Sequence, residues 1–304
     1  MEYVLQTNNL CKFYKDFKAL KGLSMNVPKG AIYGFVGKNG AGKTTLIRLL
    51  CGLQLPTDGE FSLFGIKNTD KNIYEARNRI GAVVENPAFF PELNARKNLE
   101  YQYRLMGIPN YDGIDDLLYL VGLGDTGDKK VKNFSLGMRQ RLGIAIALCG
   151  NQDLLILDEP INGLDPQGII EVRELILKLN QERGITFIIS SHFLDELSRI
   201  ATHYGFVDSG KIVKEMSKEE LENECRKSLR VKVSDIRALT RVLDSMKVEY
   251  LINNNDECDI FEKLETSDLV HRLDMEDCKL LSCSEKEETL ESFYLSLLGG
   301  GSHE

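Results

Sequence analysis

A glycine-rich segment between two apolar stretches, GFVGKNGAGKTT at residues 34–45, constrains this sequence more than any other feature. From Gly37 to Thr44 it follows the pattern G-x-x-x-x-G-K-[S/T]. The apolar residues 31–36 before it predict a buried strand, and residues 45–51 after it predict a helix. A glycine turn in this position directs backbone N–H groups at phosphate oxygens, and the following helix adds its positive end. The segment therefore predicts a nucleoside triphosphate site.

The loop also supplies side chains for this chemistry. Lys43 is expected to reach the β- and γ-phosphates, and Thr44 to offer its hydroxyl to Mg²⁺. The alternative is a glycine-rich turn that matches the pattern by chance. The flanking strand and helix make such a chance match rarer. The residues predicted to bind the nucleotide at this loop are Gly37, Lys38, Asn39, Gly40, Ala41, Gly42, Lys43, Thr44 and Thr45.

A second element of a phosphate site is LLILDEP at residues 154–160. Four apolar residues predict a buried strand, and Asp158 at its end is a candidate ligand of Mg²⁺. Glu159 is a candidate general base, because a carboxylate in a desolvated site accepts a proton from water. The alternative is a strand that ends in a helix-capping Asp-Glu pair.

Composition limits the class of partner. The chain has 304 residues and a formal net charge of −8, and its length favours two domains. Residues 1–210 carry 24 basic and 24 acidic side chains, whereas residues 211–304 carry 14 and 22. No nucleic-acid partner is expected, because binding to the phosphate backbone needs a net basic face.

The sequence also bears on the compartment. Seven cysteines without C-x-x-C spacing predict reduced thiols in a cytosolic protein. No apolar stretch approaches the length of about 18 residues that a membrane span needs, and no basic segment precedes an apolar one at the N-terminus. We therefore predict no transmembrane segment and no signal peptide, so that any membrane role depends on a partner.

Strand-like runs at residues 80–84, 154–157, 186–189 and 203–207 alternate with helical patterns. This alternation predicts an α/β fold with a mostly parallel core sheet. Residues 1–30 and 61–65 predict an antiparallel β subdomain, and residues 91–150 a helical insertion. A helix at residues 167–184 is predicted to bury one face, formed by Ile170, Leu175, Ile176 and Leu179.

A second, smaller α/β unit is predicted after the turn at residues 208–211. It is expected to contain helices near residues 217–226, 235–246 and 287–298, and strands near residues 229–233, 248–252, 258–262 and 279–283. We divide the chain into an ATP-binding domain at residues 1–215 and a C-terminal accessory domain at residues 216–304.

Two further segments, NFSLGMRQRLGIAIAL at residues 133–148 and INGLDP at residues 161–166, complete an ordered set of motifs. Together with the phosphate loop, the LDE strand end and the SSH triplet at residues 190–192, they make residues 1 to about 215 resemble the ATPase domain of an ABC transporter. The resemblance implies a P-loop NTPase fold of the ABC type, with ATP and Mg²⁺ as cofactors. It also implies a homodimer in which the phosphate loop of one copy and the signature of the other enclose each nucleotide.

The resemblance assigns roles to residues outside the phosphate loop. Tyr14 would stack on adenine, with Phe13 and Phe17 as alternative aromatic residues. His192 would contact the γ-phosphate, the alternative being a polar residue at a helix N-terminus. Asp165 would lie at the dimer seam, or be no more than a turn residue.

The signature at the start of the segment 133–148 has a physical explanation. Ser135 at a helix start and the small Gly137 expose N–H and hydroxyl donors to a γ-phosphate on the other copy. The signature reads FSLGM instead of the usual LSGGQ, with Leu136 and Met138 in place of glycine and glutamine. Ser135 and Gly137 still permit the phosphate contact.

A second departure follows the strand at residues 80–84, where the family usually has glutamine and this chain has Glu85. A carboxylate keeps an oxygen for Mg²⁺ and loses the amide donor. Glu85 is therefore a candidate metal ligand that reports the nucleotide state to a membrane partner; the alternative is a solvent-facing loop acid. Phe89 and Phe90 are candidate contacts of that partner, or an ordinary core pair.

Glu85, the SLGMRQRLGIA form of the signature and the ending LESFYLSLLGG resemble the ATPases of bacitracin-export and lantibiotic-immunity transporters. That branch implies a multi-span permease as partner, an antimicrobial peptide as cargo and a peripheral location on the cytoplasmic face of the membrane. One alternative is a soluble ABC ATPase that acts on ribosomes or DNA, a class that usually carries two ATPase domains or a long coiled coil. Another is a regulatory protein whose tail domain senses a ligand.

Overall fold

The computed structural model describes residues 2–85, 87–150, 152–225, 228–262, 264–286 and 290–299. These residues form two compact units, Met1–Lys218 and Glu219–Glu304.

The strands of the first unit are β1 (Tyr3–Tyr14), β2 (Phe17–Pro28), β3 (Ile32–Val36), β4 (Asp58–Leu63), β5 (Ile66–Lys67), β6 (Ile80–Val83), β7 (Leu154–Asp158), β8 (Thr186–Ser191), β9 (His203–Asp208) and β10 (Lys211–Ser217). Its α-helices are α1 (Lys43–Leu50), α2 (Ile73–Arg77), α3 (Ala95–Leu105), α4 (Ile114–Leu120), α5 (Leu136–Ala147), α6 (Pro166–Arg183) and α7 (Leu194–Ser198). Short 3-10 helices occupy Gly124–Thr126 and Val131–Asn133.

The core sheet of the first unit has the strand order β10-β9-β3-β8-β7-β6. All neighbouring strands are parallel except β9 and β10. Every residue of β3, β7 and β8 is buried, as expected for parallel strands covered on both faces. The predicted α/β fold with a mostly parallel sheet is confirmed.

A separate antiparallel sheet with the order β2-β1-β4-β5 confirms the predicted β subdomain. The predicted helical insertion is also confirmed, because α3, α4 and α5 follow one another between β6 and β7. The loops after β3, β6, β7 and β8 all leave the same edge of the core sheet, because these strands are parallel. In open α/β sheets this edge is where ligands bind.

The insertion packs against the core sheet through a close approach at Gly81 of β6. A Cβ atom added to Gly81 would lie 2.0 Å from the carbonyl oxygen of Ala147 in α5. The backbone cannot yield there without moving the end of α5. Glycine at this position therefore fixes the distance between β6 and α5.

We expect Gly81→Ala to lower the free energy of unfolding by about 1–3 kcal/mol, the usual cost of overpacking. Urea denaturation followed by circular dichroism measures this change. Gly137→Ala is the matched control, because its added Cβ would have no neighbour closer than 3.6 Å. Equal stability of the two variants would contradict the close approach at Gly81.

The second unit contains the strands β11 (Ser228–Val233), β12 (Tyr250–Ile252), β13 (Glu257–Ile260) and β14 (Leu280–Lys286), and the helices α8 (Lys218–Glu224), α9 (Ile236–Met246), α10 (Thr266–Met275) and α11 (Leu290–Gly299). Its antiparallel sheet has the order β12-β13-β11-β14. From β11 to β14 the elements follow a split β-α-β-β-α-β order. A core that includes Val231, Leu239, Ile260 and Leu269 holds this sheet and its helices together.

Some sequence predictions differ from the structure. Ile170 was predicted on the buried face of α6 but is 36% exposed, and the buried position is taken by Val172. The predictions omitted β5, β10, α2 and α10. Positions 226 and 287–289 of two predicted helices lie outside the described residues.

Candidate active site

The phosphate loop connects β3 to α1, as the sequence predicts. Gly40 and Gly42 have φ angles of +83° and +107°, a region that L side chains avoid. At Gly42 an added Cβ would also lie 2.8 Å from the carbonyl oxygen of Ala19. The loop therefore needs glycine at these positions to bring its backbone N–H groups around an anion.

Lys43 and Thr44 begin α1 and point in two directions. Lys43 is 6% exposed, and its Nζ donates hydrogen bonds to the carbonyl oxygens of Gly37 at 2.6 Å and Lys38 at 3.4 Å. Thr44 Oγ1 donates to Asp158 Oδ2 at the end of β7, over 2.9 Å. The structure thus brings the phosphate loop and the end of β7 together, as the sequence predicts.

Glu159 follows β7 and lies between two basic groups. Its Oε1 is 3.3 Å from Lys43 Nζ, and its Oε2 is 2.8 Å from His192 Nδ1. Oε1 is buried and has no hydrogen-bond partner among the described residues. Glu159 is therefore oriented from both sides, by the Lys43 ammonium at Oε1 and by His192 at Oε2.

Ser190 fixes the two carboxylates and was not assigned a role from the sequence. Its hydroxyl donates to Asp158 Oδ1 at 2.5 Å, and the Glu159 backbone N–H donates to Ser190 Oγ at 3.0 Å. Glu159 has a φ angle of +51°, which is rare for a residue with a Cβ. The neighbouring β8 thus stabilises the sharp turn after Asp158.

The alternative role of His192 is that of a polar residue at the N-terminus of α7. The N-cap of α7 is Phe193, and the N–H of Phe193 donates to Ser191 Oγ at 2.9 Å. His192 instead directs its Nδ1 at Glu159. The structure therefore brings His192 to the site and does not use it as the cap.

A pocket of about 370 Å³ opens beside these groups. Its lining includes Thr44, Glu85, Asp158 and Glu159. Glu85 follows β6 with a φ angle of +58°. The structure thus brings all three predicted metal-binding residues, Thr44, Glu85 and Asp158, to one pocket.

Residues that the sequence did not single out also line this pocket. Gln140 on α5 is 7% exposed, and its Nε2 has no hydrogen-bond partner in the described part of the chain. Arg139 and Asn162 belong to the same wall. No sequence pattern distinguishes these polar residues from ordinary helix and loop positions.

Tyr14 lies at the tip of the β1–β2 hairpin and is 38% exposed. Its hydroxyl is hydrogen-bonded to Gln54 Oε1, and Lys12 Nζ lies 5.2 Å from its ring centroid. The alternative residues Phe13 and Phe17 belong to the same hairpin tip. All three candidate adenine-stacking residues therefore lie at one hairpin tip.

Ser135 and Gly137 begin α5, and Asp165 begins α6. Ser135 Oγ accepts a hydrogen bond from the N–H of Met138 at 3.2 Å, and Asp165 Oδ1 accepts one from Gly168 at 3.1 Å. Both residues are helix N-caps and exposed. The predicted turn role of Asp165 is thus a capping role within the chain.

The thiol of Cys51, which follows α1, is kept protonated at neutral pH. Burial raises its pKa to about 11, with Arg77 acting in the opposite direction. The thiolate, which is the reactive form of cysteine, is therefore disfavoured at this position.

Phe90 is 47% exposed and contacts Tyr101 edge-on, with ring centroids 4.6 Å apart. Phe89 is half-buried and lines the pocket.

Within the described ranges, none of the helices has the length and hydropathy of a membrane span.

Comparison with known proteins identifies the family. Residues 20–162 match the family described as ABC transporter. The chain is 41% identical over 304 residues to the bacitracin transport ATP-binding protein BcrA of Bacillus licheniformis, with 99% of each chain covered. It is 41% identical over 220 residues to the lantibiotic transport ATP-binding protein SrtF of Streptococcus pyogenes, which covers 72% of this chain and 93% of the relative.

A solved structure supports the same assignment. A dimeric ATP-binding cassette in a post-hydrolysis state, with ADP and Pi bound, is 25% identical and has a TM-score of 0.63. The match covers 70% of this chain and 98% of the cassette. Similarity in sequence and fold agrees with the arrangement of the phosphate loop and the two carboxylates. This chain belongs to the family of ATP-hydrolysing, ATP-binding subunits of ABC transporters.

Proposed function

We propose that two copies of this chain bind ATP and Mg²⁺ between them on the cytoplasmic face of the membrane and power a permease that exports a peptide antibiotic of the bacitracin type. ATP binding is assigned to residues 1–215 and an accessory role to residues 216–304. The observation that carries the proposal is the pair of contacts Thr44–Asp158 and Lys43–Glu159 between the start of α1 and the end of β7.

The donor set of the site suits Mg²⁺. The Thr44 hydroxyl and the Asp158 carboxylate are oxygen donors 2.9 Å apart, and Mg²⁺ is typically bound by one or two such groups together with substrate phosphates and water. No group of three or more His, Cys, Asp or Glu residues that could hold a metal occurs in the described ranges. A metal at Thr44 and Asp158 would therefore depend on the nucleotide, and when bound it would neutralise phosphate charge.

The carboxylate of Glu159 supplies the proton acceptor for hydrolysis. Its Oε1 faces the Lys43 ammonium and accepts no hydrogen bond from the described residues, while Oε2 is held by His192. Lys43 is buried beside Glu159 in the free protein. When phosphates enter the loop, they compete for the Lys43 ammonium, which then orients the phosphoryl group and leaves the carboxylate to the water.

The signature supports a dimer. Ser135 is exposed at the N-terminus of α5, a 12-residue helix whose first N–H groups favour an anion. Within one chain the phosphate-loop contacts described above involve no residue of this helix start. A second copy is therefore proposed to bring its Ser135 and Gly137 to the γ-phosphate.

The substrate class rests on the extent of similarity. The match with the bacitracin relative spans 99% of both chains and therefore includes the accessory unit. The match with the lantibiotic relative spans 72% of this chain. We therefore favour a bacitracin-type peptide over a lantibiotic.

Production of this chain with the permease from its own gene neighbourhood is expected to raise the concentration of bacitracin that inhibits a sensitive bacterium. The same cells tested with the lantibiotic nisin measure selectivity. Glu159→Gln in place of the native chain is the control, because it keeps the partner but removes the base. Protection that persists with Glu159→Gln, or no protection from bacitracin, would contradict the proposal.

A further inference from the structure

Glu85 has a charged partner that the sequence did not reveal. Its Oε1 lies 2.5 Å from Arg48 Nη2. Arg48 is in the last turn of α1 and Glu85 is in the loop after β6, 37 residues later in the chain. The contact thus joins the helix of the phosphate loop to the loop where the family usually has glutamine.

Arg48 is placed to act at the metal end of the site. It follows Thr44 by four residues in α1, so the two side chains lie on one face of the helix. Thr44 and Glu85 line the same pocket. Arg48, Thr44 and Glu85 are therefore neighbours at the pocket.

The charge of this pocket explains why Glu85 needs a partner. Three carboxylates line it, those of Glu85, Asp158 and Glu159, and Arg139 is the cation of the lining. Glu159 is already paired with Lys43 and His192. An unpaired Glu85 would add a negative charge where the phosphates of ATP must bind, and like charges in one site weaken binding.

We propose that Arg48 and Glu85 act as one neutral unit, in which Arg48 offsets the charge of Glu85 and holds its carboxylate at the pocket, so that the pair replaces the neutral glutamine amide. The inference rests on the proposed function of the site. Glu85 supplies an acceptor oxygen and Arg48 supplies N–H donors. A glutamine side chain contains both an acceptor and a donor in its amide group. Arg48 is a positioning residue in this scheme.

A role in folding alone does not explain the pair. The side chains of Arg48 and Glu85 are 38% and 56% exposed, and ion pairs as exposed as this contribute little to stability. The pair is therefore expected to change MgATP binding much more than unfolding.

A double-mutant cycle on the full chain tests the inference, with the Kd for MgATP measured by calorimetry. Arg48→Met is expected to raise this Kd about five- to tenfold, the effect of one uncompensated charge near the phosphates. Glu85→Gln is the reference background of the cycle, because it lacks the charge that Arg48 offsets. Arg48→Met in the Glu85→Gln background is expected to leave the Kd within about threefold of Glu85→Gln alone, and Arg48→Lys to stay near the wild type.

Salt and a surface pair supply the controls. The effect of Arg48→Met should shrink as ionic strength rises, because the charges are partly exposed. Lys67→Met removes a comparably exposed partner, that of Glu60, and should leave the Kd unchanged.

Equal effects of Arg48→Met with Glu85 and with Gln at position 85 would overturn the inference, as would an unchanged Kd in Arg48→Met. Because the Kd reports binding and not the rate of hydrolysis or the protection of cells, this result is separate from the proposed function. That function would fail instead if wild-type chain with its permease neither hydrolysed ATP nor protected cells.

Discussion

Glu159→Gln is expected to reduce steady-state ATP hydrolysis by about 10²–10⁴-fold, the range that a positioned general base contributes. Glutamine has nearly the same shape but its amide cannot accept a proton from water at neutral pH. The variant should still bind MgATP, because the contacts of Lys43 with Gly37 and of Thr44 with Asp158 do not involve Glu159. Phosphate release and calorimetric binding of MgATP measure the two effects.

The same variant should accumulate as a dimer with ATP. If hydrolysis is what separates two copies, blocking it leaves the nucleotide between them, and light scattering after gel filtration should report twice the monomer mass. Glu60→Gln, a change at an exposed carboxylate paired with Lys67, should keep both normal turnover and the normal mass. A Glu159→Gln chain that hydrolyses ATP at the wild-type rate would remove Glu159 from the role of base.

The parts of the site that the sequence predicted are those encoded by short local patterns. The phosphate loop combines fixed glycine spacing with a strand and a helix, and β7 is a run of buried apolar residues that ends at Asp158. Because parallel strands end at one edge of a sheet, their terminal residues could be expected to meet. Thr44, in the helix that follows β3, contacts Asp158 at this edge although the two residues are 114 positions apart in the chain.

The parts that the sequence could not predict are pairings of exposed polar side chains. Arg48 and Glu85 are charged residues in unremarkable positions, and only the fold brings them within 2.5 Å. Gln54 and Tyr14 are a similar case at the hairpin tip. Periodicity carries no information about such pairs, since it reports burial and not the choice of partner.

The error at α6 has a related cause. Ile170 and Val172 are both apolar, and a helical pattern of this length allows more than one buried stripe. In the structure Val172 is fully buried against the rest of the unit, and Ile170 is exposed. The strand β10 lacks a strand signal in the sequence, because Lys211–Ser217 contains three charged residues and does not alternate strictly between polar and apolar side chains.

Gly137→Asp is expected to abolish ATP hydrolysis while leaving the fold and the binding of ATP to the monomer intact. A Cβ at Gly137 meets no atom closer than 3.6 Å, so a side chain can begin at this position without displacing the backbone. In the proposed dimer the new carboxylate would face the γ-phosphate bound to the other copy, and two anions in a desolvated interface repel strongly. Phosphate release, thermal unfolding and the Kd for MgATP separate these three properties.

Mixing variants tests whether the two halves of a site come from different chains. Lys43→Ala removes the phosphate-loop contact and Gly137→Asp removes the signature contact, so each variant alone should be inactive. In a mixed dimer one of the two sites carries both lesions and the other carries neither. If each site works independently, an equimolar mixture should recover roughly a quarter of wild-type turnover, because half of the dimers are mixed and one site in each is complete. Wild-type turnover by Gly137→Asp alone would contradict a site shared between two copies. The signature would then make no contact with the phosphate bound to the other copy.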